Sequence, residues 1–256
     1  MSEQTLVQAV ADGRTMIIRS FRLSLRNVDG LITALALPIM LMLMFVYLFG
    51  GAIRTEGHYV DYVVPGVLLV CVGFGAATTA VSVAADLTSG VIDRFRSMDV
   101  RGESLINGHV VASVARNLLS SLLVIAVAFA IGFRSHADLI HWLGAFSILA
   151  LFVLALSWFA AAIGVAVRSA EAANGATFLV AFLPYASSAF VPIHTMPPWL
   201  QSFATNQPVT AVVDAIRGLL LGGPVASSAW PAVAWSLAII AASVALARVL
   251  FAHRTS

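Results

Sequence analysis

Residues 90–101 read Gly-Val-Ile-Asp-Arg-Phe-Arg-Ser-Met-Asp-Val-Arg and form a charged island between two segments that are apolar enough to cross a lipid bilayer. Val91, Phe95 and Met98 have the i, i+4 and i+7 spacing of one helix face, and charged residues occupy much of the remaining surface. The pattern predicts an amphipathic helix that leaves the membrane between two spans and offers a surface to a soluble protein. A solvated loop that only obeys the positive-inside rule is the alternative interpretation.

The composition on either side of the island indicates an integral membrane protein. Apolar residues make up 60% of the 256-residue chain and charged residues only 10%, which soluble domains of this size do not reach. Six runs without charge approach or exceed the roughly 20 residues that a helix needs to cross the hydrocarbon core. These runs are 31–53, 62–85, 117–133, 142–167, 172–193 and 218–247. The sequence therefore predicts an all-α membrane protein with six transmembrane helices.

The arginines predict which side of the membrane each loop faces. Lys is absent, and eleven of the 14 basic residues lie on one side of the predicted spans, against Arg54, Arg134 and Arg217 on the other. This positive-inside bias places both termini in the cytoplasm. Arg in place of every Lys is typical of a GC-rich bacterial genome, so we expect a multi-pass protein of a bacterial plasma membrane.

The N-terminal segment has the pattern of a helix that lies along the membrane surface. Apolar side chains within residues 14–28 share one helical arc, and Arg19, Arg22 and Arg26 share a neighbouring arc. Guanidinium groups at such positions contact lipid phosphates, although contact with a partner protein is equally open. We expect one domain over residues 1–256, with an interfacial helix in 1–30 and the six-span bundle in 31–256.

The segment before the last predicted span is rich in proline, and we expect this segment to lie on the outer side of the membrane. Between Pro208 and Gly222 the sequence predicts an apolar helix with one acid and one base, Asp214 and Arg217, whose i, i+3 spacing allows an ion pair. An apolar, proline-rich outer segment is expected to form an extracellular cap or a re-entrant helical hairpin. We expect the ion pair to be structural, with contact to a transported molecule as the alternative.

Residues that the sequence lacks exclude one class of function and disfavour several others. A phosphate-binding P-loop requires Lys, and no Asp or Glu lies at the middle of a predicted span, where proton-coupled transporters commonly have one. We find no catalytic motif and no metal-ligand cluster, and Cys71 and the six His residues are expected to be core and interfacial side chains. We therefore expect no catalytic residue, metal or cofactor in this chain, and the net charge of +2 does not indicate nucleic acid.

Two stretches resemble a known family. They are the island at 90–98 and the outer segment, in which 195–201, Thr-Met-Pro-Pro-Trp-Leu-Gln, leads to 206–210, Asn-Gln-Pro-Val-Thr, and 214–223, Asp-Ala-Ile-Arg-Gly-Leu-Leu-Leu-Gly-Gly. Together with the layout of the whole chain, they resemble permeases of the ABC-2 type, in the branch that includes daunorubicin-resistance drug exporters. The resemblance implies a non-catalytic permease subunit of an ATP-driven exporter that moves a hydrophobic drug, lipid or similar substrate out of the cell.

The resemblance also implies partners and a role for the island. A separate ABC ATPase subunit would bind ATP and Mg, and a second permease copy or paralogue would complete the transporter. The island would be the coupling helix that contacts the ATPase, through Gly90, Asp93, Arg94, Phe95 and Arg96. Asp99 stands where many relatives have Pro, so the turn that ends this helix is expected to differ.

Two other classes of function are compatible with the residues. A self-contained secondary transporter or channel would move its substrate without a partner, although the lack of mid-span acids disfavours ion coupling. A structural or assembly factor would have no conducting path. Charge reversal at Arg94 and Arg96 distinguishes these classes, because only the ABC exporter requires contact between the island and an ATPase.

Overall fold

A computed structural model describes residues 28–53, 57–89, 102–223 and 225–255, and this part of the chain is helical without any strand. Four of its helices are long and apolar enough to cross a membrane, which confirms an all-helical protein with membrane-spanning segments. The α-helices are α1 (Val28–Met44), α2 (Tyr59–Thr88), α3 (Gly102–Ala130), α4 (Leu139–Ala166), α5 (Ala170–Phe182), α6 (Pro198–Asn206), α7 (Pro208–Leu221) and α8 (Ala226–Thr255).

Helix α2 is the centre of the bundle, because it packs against α1, α3, α4, α5 and α7. Buried side chains cover all its faces, as the neighbours Val63 and Val64 illustrate, and both are inaccessible to solvent. A helix that is apolar all round must be surrounded by protein or lipid. The uncharged run 62–85 therefore forms the core of the fold, and the island at 90–101 follows it directly.

Small residues allow α4 and α2 to approach each other closely. A Cβ atom added at Gly164 would lie 2.6 Å from the carbonyl oxygen of Ala80 and 2.8 Å from Cβ of Val83. Small residues of this kind are typical of helix contacts in membranes, where tight van der Waals packing replaces the hydrophobic effect.

We expect the substitution Gly164→Ala to destabilise the protein by about 2 kcal/mol, because the added methyl group forces α4 away from the backbone of α2. The melting temperature of the purified chain in detergent measures this effect. Gly175→Ala in α5 is the matched control, since nothing lies within 4 Å of the added Cβ. Equal melting temperatures of the two variants would contradict this account of the contact.

Three of the predicted runs, 62–85, 117–133 and 142–167, correspond to single helices of the structure, although the helix ends differ from the ends of the runs. Helix α4 begins at Leu139, three residues before run 142–167, and the carboxylate of its N-cap residue Asp138 accepts a hydrogen bond of 2.9 Å from the backbone N–H of His141. Hydrogen bonds from the backbone and side chain of His141 lower the pKa of Asp138. Run 117–133 belongs to a helix that extends back through Val110 and begins at Gly102.

Run 172–193 is not one continuous helix, and this prediction is wrong. Helix α5 ends at Phe182, and the backbone tightens into a 3-10 turn over Leu183–Ala186. Pro184 has no N–H group to continue the helical ladder, which explains the break. Residues 187–192 are not helical, and a second short turn covers Ile193–Thr195.

Runs 31–53 and 218–247 also differ from the helices that contain them. Helix α1 continues from Met44 into a π-helical turn at Phe45–Phe49 and ends there. Residues 218–221 belong to α7, because Gly222 adopts the left-handed conformation, with φ of 84°, and terminates that helix. A run without charge does not reveal a turn built from glycine, which adopts positive φ without steric cost.

Candidate functional site

Helix α7 forms the buried arm of the predicted outer hairpin. Pro208 occupies its first turn, and the N–H groups of Gly222 and Gly223 both bond to the carbonyl oxygen of Gly218 at its end. The helix packs against α2, α4 and α8, and Val212, Val213 and Ile216 are at most 1% exposed. Helix α7 is therefore packed into the helical bundle rather than lying on its surface.

The other arm of the hairpin, α6, remains at the surface. It contacts α7 and the neighbouring turns, and its aromatic residues Trp199 and Phe203 are 76% and 53% exposed. These two residues are one helical turn apart and share a face. Aromatic side chains in this arrangement are typical of the boundary between lipid and water.

Arg217 joins three parts of the bundle at the start of α2. Its Nη1 atom lies 2.7 Å from Oδ1 of Asp214, and its Nη2 donates to the carbonyl oxygens of Ser188 and Tyr62 at 2.7 and 3.1 Å. The guanidinium carbon also lies 3.9 Å from the centroid of the Tyr62 ring. The Arg217 side chain is only 16% exposed, and the Asp214 carboxylate neutralises its charge within the protein.

Side chains around Arg217 also form hydrogen bonds with the backbone of the segment that follows the break in α5. The hydroxyl of Tyr62 donates to the carbonyl oxygen of Ser188, and the hydroxyl of Tyr59 donates to that of Phe190, both at 2.9 Å. The Ser188 hydroxyl donates to Asp214 at 2.6 Å, and the Gln207 amide donates to the carbonyl oxygen of Ala186. Non-helical backbone can lie among apolar helices only when its polar groups are paired in this way.

This arrangement connects α2, the segment 186–190 and α7 through one arginine and two tyrosines. We call it the Arg217 network and define it by Tyr59, Tyr62, Ser188, Asp214 and Arg217. Its two charged groups, Asp214 and Arg217, are paired with each other, so its chemistry is that of a charged, hydrogen-bonded connection between helices.

A second polar cluster lies at the crossing of α2, α3 and α4. Arg116, in the middle of α3, donates from Nη2 to Oγ1 of Thr79 at 2.9 Å. Thr79 and Ser157 each donate to Oγ of Ser113, at 2.7 and 2.9 Å, and Asn117 donates to the Ser113 carbonyl oxygen at 3.0 Å. The cluster links three apolar helices by hydrogen bonds, which are the specific contacts available inside a membrane.

Near the end of α2 that leads into the island, His109 of α3 contacts Asp86. Its Nε2 atom lies 3.0 Å from Oδ2 of Asp86, and the side chains are 9% and 18% exposed. This contact joins the two helices that the island connects.

The predicted site residues fall into two groups. Asp214 and Arg217 are brought together as their spacing predicts. The island residues Gly90, Asp93, Arg94, Phe95 and Arg96, and the anchor residues Arg19, Arg22 and Arg26, lie outside the described part of the chain. Among the described residues, no group of three or more His, Cys, Asp or Glu could hold a metal ion.

Comparison with known proteins identifies the family. The family model described as ABC-2 type transporter matches residues 13–221, which include the island and the Arg217 network. Daunorubicin resistance ABC transporter permease protein DrrB1 of Streptomyces coeruleorubidus is 30% identical over 194 residues, covering 75% of this chain and 69% of the relative.

A second relative, Probable doxorubicin resistance ABC transporter permease protein DrrC of Mycobacterium tuberculosis, is 24% identical over 216 residues, or 84% of this chain and 78% of the relative. Membrane subunits of this kind perform no catalysis, and their ATPase activity lies in a partner subunit. Because the match extends over most of the helical bundle, the chain belongs to the ABC-2 type transporter family, in the branch of the drug-resistance permeases.

Proposed function

We propose that this chain is the permease subunit of an ATP-driven exporter that moves a hydrophobic drug or a similar apolar molecule out of the cell. The observation that carries this proposal is the family match over residues 13–221, with relatives named for resistance to daunorubicin and doxorubicin. The apolar bundle supports it, because a hydrophobic cargo needs few polar groups along its path.

The proposed topology has six spans with both termini in the cytoplasm. Helices α2, α3, α4 and α8 are the long spans, α1 with its π-helical turn is the first, and the broken α5 is the fifth. The unequal distribution of arginines supports this orientation. The N-terminal arginines Arg19, Arg22 and Arg26 would lie at the inner lipid phosphates, within a single domain over residues 1–256.

Coupling to ATP hydrolysis is proposed to pass through the island. Gly90, Asp93, Arg94, Phe95 and Arg96 would contact a separate ABC ATPase, which binds ATP and Mg. The island follows α2, and α2 packs against five other helices and reaches the Arg217 network at its opposite end. A push on the island can therefore tilt the central helix and change the contacts that hold α7.

The proposed cycle requires a second permease, either another copy of this chain or a paralogue. Closure of the ATPase dimer would move both islands, and the two permeases would shift between inward-open and outward-open arrangements. Each arrangement is favoured by contacts that the other lacks, which is the general condition for a driven conformational change. This chain transmits work and makes or breaks no bond in the cargo.

Reconstitution with and without the ATPase partner tests this function. The full chain is placed in lipid vesicles, alone or with the ABC ATPase proposed as its partner, and daunorubicin accumulation and ATP hydrolysis are measured. We expect ATP-dependent accumulation only with both proteins and no hydrolysis by this chain alone. Hydrolysis by the isolated chain would contradict the proposal, and flux without ATP would favour the channel or secondary transporter.

A further inference from the structure

An apolar cavity of about 260 Å³ lies between α2, α4, α5, α7 and α8. Every side chain that lines it is apolar, and its walls include Leu69 of α2, Leu156 of α4 and Ile239 of α8. Leu183 and Pro184, at the break after α5, form one end, and Pro208 and Val209 bring the start of α7 to the same space. The cavity lies beside the point where α5 ends, at Phe182, while α4 and α8 pass it as continuous helices.

The cavity opens sideways, between α5 and α8. Both helices pack against α4, but they do not pack along each other in the described part of the chain. Five of the lining residues are only partly buried, namely Phe159, Val180, Leu183, Pro208 and Ile239. Val180 and Ile239 belong to the two helices on either side of this gap, and we infer that the gap is the mouth of the cavity. The surface around the mouth is apolar as well, because Leu179 and Leu237 are 73% and 53% exposed.

We propose that this cavity binds the acyl chain of a membrane lipid, which enters between α5 and α8. A pocket for an oriented, drug-sized molecule normally has a few polar groups that fix the ligand, and this lining provides no polar side chain. A hydrocarbon chain needs no polar group in the site that binds it. Since benzene fills an apolar cavity of about 150 Å³, the space of about 260 Å³ accommodates roughly ten methylene groups.

The energetic reason for occupancy is packing. An acyl chain is already in an apolar environment, so it gains no hydrophobic energy by entering the protein. The side chains around an empty space lack dispersion partners, however, and an acyl chain restores those contacts. The bound chain touches Pro184 and Val209, and it therefore supports both the break after α5 and the first turn of α7.

Photolabelling with a lipid tests this site. The full chain is reconstituted in phosphatidylcholine vesicles that contain a phospholipid with a diazirine near the middle of one acyl chain, and labelled residues are mapped by mass spectrometry. We expect labels on Val180, Leu183 and Ile239. Val180→Phe fills the mouth and is expected to reduce labelling of Leu183 and Ile239 about fivefold, because a close-packed interior has no room for both groups.

Val249→Phe is the matched control, because it adds the same bulk at an exposed position of α8 that lies about 15 Å along the helix from Ile239, and it should leave the labelling of Leu183 and Ile239 unchanged. Should Val180→Phe fail to fold, Ile239→Phe tests the opposite wall through labelling of Val180 and Leu183. Equal labelling in the mouth and control variants would overturn the proposal. Loss of the label on adding daunorubicin would also overturn it, since the cargo would then be the occupant. Labelling needs neither ATP nor the ATPase, so this result is independent of transport.

Discussion

Arg217→Met is expected to lower the stability of the protein by about 3 kcal/mol and to abolish transport. The substitution removes the donor for the carbonyl oxygens of Tyr62 and Ser188 and leaves the Asp214 carboxylate without its partner. Removing one member of a largely buried ion pair costs about 3–5 kcal/mol. Because the Asp214 side chain is 35% exposed and keeps some water, the lower end of this range applies.

The melting temperature in detergent and the rate of ATP-dependent accumulation in vesicles measure the two effects. Arg217→Lys retains the charge but cannot donate to both carbonyl groups with a planar fork, so we expect an intermediate loss. Arg168→Met is the control, since Arg168 is exposed and its removal should change stability by less than about 0.5 kcal/mol. An Arg217→Met protein with normal melting and transport would disprove the role of the network.

The long spans were predictable because charge and length define them. Run 142–167 corresponds to α4, Leu139–Ala166, to within three residues at either end. The break in run 172–193 was not predictable from hydropathy, because non-helical backbone is as apolar in composition as helix. Only the structure shows that the hydroxyls of Tyr59 and Tyr62 pair the carbonyl oxygens of this segment and make the break possible.

The site shows the same division between local and distant contacts. Asp214 and Arg217 are three residues apart in one helix, so their contact follows from helical geometry. Tyr62 is 155 residues from Arg217 in the sequence, and Ser188 is 29 residues from it. Contacts between residues so far apart cannot be predicted from a single sequence whose fold is not known. The tyrosines at the start of α2 were the one available hint, because they add polar groups to an apolar helix.

Arg116 illustrates how the position of a helix boundary changes the interpretation of a charge. The uncharged run 117–133 predicts that Arg116 stands just before a span, where an arginine can reach water. Helix α3 begins at Gly102, so Arg116 lies midway along the helix and donates to Thr79 of α2. Its polar neighbours come from three helices, and none of them forms a motif in the sequence.

Reversing the charges of the island, with Arg94→Glu and Arg96→Glu together, is expected to have the largest effect on function. If the island contacts the ATPase, the ATPase surface that binds Arg94 and Arg96 is acidic, and the two new glutamates are repelled by it. Like charges placed in contact across an interface cost several kcal/mol, which corresponds to a loss of affinity of more than about a hundredfold. The ATPase should then no longer purify with the permease, and export should stop.

A matched control separates this effect from a general change in charge. Arg168 and Arg248 are exposed, lie on the same side in the proposed topology and can be reversed together for an identical change in net charge. We expect this control to retain the ATPase and most of the export. The island variant should keep the melting temperature of the unaltered chain, because its substitutions leave the bundle and the Arg217 network intact. Retained ATPase binding in the island variant would place the coupling contact elsewhere, and unfolding of that variant would assign the island a structural role instead.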